Sequence, residues 1–209
     1  GLEFDIAVDP LECTDSVASG TPNAITVIAT GPKGSLFHAP DMYMDKIACG
    51  PAAKGVINLD ATVRENIAKV AGRLGKEVAE IVVMVLNRPR HEKLINEIRA
   101  AGARVRLITD GDVAGAIAPS LPDSGIDLLM GIGASAEGVL ASPAIKSLGG
   151  ELQARLKPKD QAQMEELRQM GITDPDKILT LEDLAGGQDL TFTATGVIDG
   201  PLLKGVRYT

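Results

Sequence analysis

The sequence predicts an α/β fold built on a parallel αβ unit over about residues 80–150, with a more antiparallel region on its N-terminal side. Three observations carry this expectation. Apolar runs of strand length alternate with stretches of helical periodicity, at a spacing that suits right-handed crossovers. The run Ile81–Leu86 is apolar throughout, as in a strand buried on both faces. Hydrophobic residues make up 44% of the chain, yet only Phe4, Phe37, Tyr43, Phe192 and Tyr208 are aromatic, so the core must be aliphatic.

Residues 4–8 and 24–30 read as strands. Gly31-Pro32-Lys33-Gly34 is a turn, and a short strand near Ser35–His38 would close a hairpin on the second strand. Pro40, Gly50, Pro51 and Gly55 are breakers that make 39–58 irregular. Asp60 can cap a helix over 61–74, in which Val63, Ile67, Val70 and Leu74 share a face and Gly75 marks the end. Strand 81–86 leads to a helix over 90–101 that buries Leu94, Ile98 and Ala101 and stops at Gly102. Strand 104–108, a helix over 112–118, strand 126–130 and a helix over 137–147 follow. Beyond 150 the pattern loosens into a charged helix near 158–170, a helix start at Thr180 and a late strand over 190–197. The chain therefore divides near residue 75, into an antiparallel half (1–75) and a parallel αβ half (76–209).

The formal net charge is −7 and no run of Lys or Arg is present, which argues against a nucleic-acid partner. No apolar run reaches membrane-spanning length, and no signal peptide is visible. Cys13 and Cys49 lack metal-type spacing and read as reduced thiols, although two cysteines could pair. A cytoplasmic protein is expected. The chain starts with Gly1 and ends abruptly at Thr209, as a fragment would.

The chemistry concentrates in a few short stretches. In Ala7-Val8-Asp9-Pro10-Leu11-Glu12-Cys13-Thr14-Asp15-Ser16 an apolar strand runs into several oxygen ligands, so the stretch is either an ordinary turn or a cradle for a hard divalent cation. Ligands of an open parallel sheet sit outside the carboxyl ends of its strands. Three polar segments should open there: Asn87-Arg88-Pro89-Arg90-His91, Asp110-Gly111-Asp112 and Gly131–Gly138. Arg88 and Arg90 bracket a stiffening proline and suit a phosphate, or are solvated at a helix start. Asp110 and Asp112 could bind a metal or sugar hydroxyls, or cap a helix. Gly131-x-Gly133-x-x-Ala136 fits a dinucleotide fingerprint loosely, with Glu151 near the position of its ribose acid. Glu137 offers a carboxylate at a helix start. His38, His91 and Tyr43 read first as ordinary polar or core residues.

Taken together, "AVDPLECT", "APDMYMDK", "PAAKG", "NRPRH", "DGDV", "GIGASAEGV" and "MGI" stand in the order and spacing of the class II fructose-1,6-bisphosphatases, which the whole chain resembles, including their dual fructose/sedoheptulose bisphosphatase branch. "DPLECT" is also similar to the signature of the wider lithium-sensitive phosphatase superfamily, whose shared fold is a layered αβαβα sandwich. The resemblance implies metal-dependent hydrolysis of the 1-phosphate of fructose-1,6-bisphosphate, with Mg²⁺ or Mn²⁺ as cofactor, a sugar bisphosphate as small-molecule partner and a homo-oligomer, dimer or tetramer. It implies that Asp9, Glu12 and Glu137 hold metal and that Thr14 orients the attacking water. It further implies that Glu12, Cys13, Thr14, Tyr43, Arg88, Pro89, Arg90, Asp110, Gly111, Asp112 and Ala134 line the substrate site. Cys13 departs from the family, which usually has glycine there; a backbone with φ > 0 would make its Cβ unwelcome. The family also has segments before and after this stretch, so the chain alone is expected to be inactive or weakly active. The rival readings are an NAD-type oxidoreductase using Gly131–Ala136 and a non-catalytic sugar-phosphate-binding relative.

Overall fold

A computed structural model describes residues 1–200 and 202–207, which leaves Pro201, Tyr208 and Thr209 outside the described residues. The strands are β1 (Phe4–Glu12), β2 (Ile25–Pro32), β3 (Tyr43–Cys49), β4 (Val82–Leu86), β5 (Arg104–Ile108), β6 (Leu128–Ala134), β7 (Glu151–Lys157), β8 (Leu179–Thr180) and β9 (Thr191–Gly196). The helices are α1 (Thr14–Ser19), α2 (Val63–Leu74), α3 (Glu92–Ala101), α4 (Asp112–Ile117), α5 (Ser135–Ser147), α6 (Gln161–Gln169) and α7 (Leu181–Leu184).

These elements make two sheets. One has six strands in the order β5-β4-β6-β3-β7-β8, and the other has three in the order β1-β2-β9. The parallel part expected over 80–150 is present, since β4 pairs in parallel with β5 and β6. Around it the sheet is antiparallel, with β3 inserted between β6 and β7. The expected division near residue 75 does not follow the sheets. β3 comes before that boundary yet lies inside the six-stranded sheet, and β9 comes after it yet pairs with β2.

Local signals account for the helix ends. Thr62, rather than Asp60, caps α2: its side chain accepts from the Glu65 amide while the Glu65 carboxylate accepts from the Thr62 amide. Gly75 and Gly102 close α2 and α3 in the left-handed conformation. In α3 the fully buried residues are Ile95 and Ile98, with Leu94 and Ala101 at the margin of the core.

The layers run helix, sheet, helix, sheet. α2 and α3 pack on one face of the six-stranded sheet through Ile67, Val70, Ile98, Val83, Val85 and Leu128. α4 and α5 pack on its other face, and the same core takes in Ile25, Val27 and Ala29 of the three-stranded sheet. Of the five layers that the αβαβα expectation calls for, four are thus seen among the described residues. The outer face of the three-stranded sheet exposes Phe4, Ile6, Val8 and Ile28.

Several expectations need correction. The hairpin at 35–38 is absent: β2 is paired on both sides by β1 and β9, and Leu36 makes only an isolated bridge to Ala185. The segment expected to be irregular contains the strand β3, because Asp45 and Lys46 interrupt its apolar run without breaking the extended backbone. β7 was also not expected; its Leu152, Ala154 and Leu156 alternate inward. Gly131–Ala134, read as a glycine loop, is the end of β6, laddered to Lys46, Met44 and Tyr43. A strand offers no cradle of free amides for a pyrophosphate, so the dinucleotide reading fails, and Glu151 instead accepts from the Gly55 amide. Cys13 and Cys49 are free thiols, both buried. Among the described residues no helix is long and apolar enough to cross a membrane.

Candidate active site

The site begins where β1 ends. The pairing Asp9↔Val27 is followed by Glu12↔Ile25, so β1 carries one residue more than its partner strand there. Pro10, which has no amide to donate, sits in this bulge, and Asp9 Oδ1 accepts from the Leu11 amide at 3.0 Å. The extra residue reverses the alternation, so that Glu12 turns inward like the half-buried Asp9. The next residue, Cys13, has φ 67° and ψ 49° and introduces α1. The position where the resemblance leads one to expect glycine therefore does hold a left-handed backbone. Thr14 follows at the exposed start of α1.

Glu12 is 3% exposed and points across to the parallel unit. Its Oε1 accepts from the Val113 amide of α4 at 2.6 Å, while Oε2 has no hydrogen-bond partner among the described residues. Burial, with added repulsion from Glu137, Asp112 and Asp9, pushes its carboxyl up to about 8. Gly111 allows this approach. Its φ is +99°, and a Cβ there would meet the Asn23 amide group and lie 2.9 Å from Cys13 Sγ. Burial, chiefly, raises the Cys13 thiol far above its ordinary value. Asp110 is half-buried and accepts from the Gly111 amide at 3.1 Å.

Asp112 is 4% exposed and pairs with Lys46, a buried lysine of β3 that the sequence reading did not single out. Lys46 Nζ also donates to the Ala134 carbonyl at 3.1 Å and lies 3.7 Å from Glu137 Oε2. Glu137, in the first turn of α5, accepts from the Ala134 amide at 2.9 Å. Burial first, and then the charge of Asp112, raise its carboxyl to about 7 against the opposing pull of Lys46. Asp9, Asp112 and Glu137 are thus close enough to act on Glu12, and Asp112 to act on Glu137. Even so, no three acidic, histidine or cysteine side chains are grouped as a ready metal cage among the described residues.

The arginine-bearing turn lies beside β6. β4 and β6 are in register only at Val83↔Leu128 and Met84↔Leu129. Beyond that the Ile132 peptide has no strand partner on this side, and side chains from residues 88–91 take its place. The Ile132 amide donates to His91 Nε2 at 2.8 Å, and its carbonyl accepts from Arg90 Nε and Nη2 at 3.1 and 2.8 Å. His91 Nδ1 then donates to the Leu86 carbonyl at 2.8 Å, so the neutral ring carries its proton on Nδ1. Burial lowers the His91 pKa, consistent with that neutral form. The Arg90 guanidinium also stacks over Tyr43, 4.7 Å from the ring centroid. Pro89 opens the turn and Arg88 precedes it, half-buried. Ala134 ends β6 next to Tyr43 in the ladder. His91 is therefore a buried scaffold residue. Lys46 could have been found only as a lysine on the inward side of an alternating strand, once β3 was recognised as one.

Residues 1–209 match the family described as bacterial fructose-1,6-bisphosphatase, glpX-encoded. The chain belongs to this family. Its relatives include proteins named D-fructose 1,6-bisphosphatase class 2/sedoheptulose 1,7-bisphosphatase. The one from Synechococcus sp. (strain JA-3-3Ab) is 44% identical over 219 residues, covering 99% of this chain and 63% of the relative. One from Acaryochloris marina (strain MBIC 11017) is 45% identical, with coverage of 99% and 63%. One from Microcystis aeruginosa (strain NIES-843 / IAM M-2473) is 43% identical, with coverage of 99% and 64%. The chain thus spans somewhat under two thirds of the length of these curated relatives.

Proposed function

We propose that the full-length protein removes one phosphate from fructose-1,6-bisphosphate, and from sedoheptulose-1,7-bisphosphate, with the help of a divalent cation. The observation that carries this reading is the buried carboxylate group around Glu12, whose Oε2 has no hydrogen-bond partner among the described residues, in a chain that belongs to this family. A phosphate dianion cannot approach several ionised carboxylates unless cations offset them. The donors fit a hard cation: they are oxygen atoms, and two of the carboxyls are raised to about 8 and about 7 by burial first and then by their acidic neighbours, a repulsion that a bound cation would offset. Asp9, Glu12 and Glu137 would hold it. When bound, Mg²⁺ or Mn²⁺ supplies a water of lowered pKa and offsets phosphate charge.

The residues of the chain supply position. Arg88 and the free N–H groups of Arg90 hold the phosphate that does not react, so that its binding orients the other end. Asp110 and Asp112 accept from sugar hydroxyls, and Tyr43, with Arg90 stacked on it, walls the distal end. The Thr14 hydroxyl accepts a hydrogen bond from the attacking water. The water oxygen bonds to phosphorus as the water gives up a proton, the ester P–O bond breaks, and its electron pair leaves on the sugar oxygen, which takes up a proton in turn, so that water is consumed and alcohol and phosphate are released.

The test is phosphate release from fructose-1,6-bisphosphate by the full-length protein with Mn²⁺, then with the metal chelated. Metal-dependent release is expected. A folded, metal-saturated protein that binds the sugar bisphosphate without releasing phosphate would replace this reading with that of a binding module.

A further inference from the structure

Lys46 is among the largest fully buried side chains of the protein, yet it carries a charge. Its three oxygen neighbours come from two parts of the chain, the start of α4 and the junction of β6 with α5. Asp112 opens α4, Ala134 ends β6, and Glu137 lies in the first turn of α5. The backbone makes room for this arrangement. A Cβ at Gly133 would overlap the Asp112 carboxylate and come within 2.8 Å of Lys46 Nζ, and one at Gly138 would lie 3.5 Å from Lys46 Cδ and 2.6 Å from Met44 Sδ. A buried ammonium is tolerated only when paired and hydrogen-bonded, so β3, the start of α4 and the β6–α5 turn are held to one point by the cost of leaving it unpaired.

We propose that Lys46 is a positioning residue, which ties Asp112, a carboxylate facing the sugar, to the Ala134–Glu137 turn, which bears a carboxylate facing the metal, and so keeps the two at a fixed separation. The roles of Asp112 and Glu137 rest on the function proposed above; the tie itself does not. The link also places a positive charge beneath an acidic site that must admit a bisphosphate.

The experiment compares Lys46→Met, close in length and volume but uncharged, with Lys46→Arg in the full-length protein. It reads KM and kcat for fructose-1,6-bisphosphate, together with amide exchange at Val113 and Ala134. Loss of charged hydrogen bonds should raise KM in Lys46→Met by about tenfold or more, with a smaller fall in kcat. Exchange at Val113 and Ala134 should quicken while α2 and α3 keep their protection, and Lys46→Arg should recover part of the binding. A folded Lys46→Met protein with unchanged KM and unchanged exchange at both amides would overturn the proposal and leave Lys46 as core filling. If Lys46→Met does not fold, Asp112→Asn decides. Weakening one end of the tie should quicken exchange at Ala134 on the other, and unchanged exchange there overturns the proposal. If the unaltered protein hydrolyses no sugar bisphosphate, the functional reading falls, and the exchange rates alone judge Lys46.

Discussion

The two sheets handle their surfaces in opposite ways. The six-stranded sheet is covered by helices on both faces and places Ile47, Leu128 and Leu152 out of reach of solvent. The three-stranded sheet is covered on one face, while Phe4, Ile6 and Val8 alternate outward from β1 and are more than half exposed. The candidate site lies where the two meet. Glu12 leaves the half-covered sheet to accept from α4, and Lys46 rises from the middle of the covered one. One sheet therefore supplies a base, and the other delivers Asp9 and Glu12 on a strand whose outer edge has no partner among the described residues.

This contrast can be tested. Leu128→Ala removes a side chain that is 0% exposed in the larger sheet and should cost about 2–5 kcal/mol in urea unfolding. A loss under about 1 kcal/mol would mean that the larger sheet is not the stabilising base.

The next effect concerns the junction. Folded Glu12 and Glu137 carboxyls are raised from an ordinary 4.5 to about 8 and about 7. Between those values the unfolded chain ionises while the folded one stays protonated, so the metal-free protein should lose stability as pH rises from about 4.5 to about 8. His91, whose pKa is lowered, acts in the opposite sense below about 6.5, which makes the decline clearest above that pH. Glu12→Gln should flatten the decline in chelator-treated samples, and a stability that climbs from pH 6.5 to 8.5 would contradict the assignment.

The smallest effect belongs to the bare face. Ile6→Thr should change stability by no more than about 0.5 kcal/mol and raise the concentration at which the chain stays monodisperse in light scattering. A large loss of stability would show that Ile6 is covered in solution.

Much of the frame was legible from the sequence because glycine and apolar periodicity mark it. Strand Arg104–Ile108 and the helix ends at Gly75 and Gly102 stand where they were expected. β3 and β7 were not legible because each mixes charge into a buried strand, and pattern reading discounts Asp-Lys or Gln-Ala-Arg as core. In the site, the clustering of Glu12, Asp112 and Glu137 could be guessed from motif order, but Lys46 could not. Its burial makes sense only beside the carboxylates of Asp112 and Glu137, contributed by two helices distant in sequence. His91 looked like one more polar residue of a basic turn, because nothing in its neighbours reveals that β4 and β6 diverge at Ile132.

The position of β3 also bears on how the chain reaches its native state. Both of its ladder partners, β6 and β7, are made long after it during synthesis, and between them comes the locally connected unit from β4 to α4. That unit can collapse early, whereas the centre of the sheet must wait for a non-local closure, so the expected rate-limiting event is the docking of β3 between strands that arrive later. Until then Met44, Ile47 and Ala48 have no cover, and a nascent chain paused before residue 128 is the species for which a chaperone would compete.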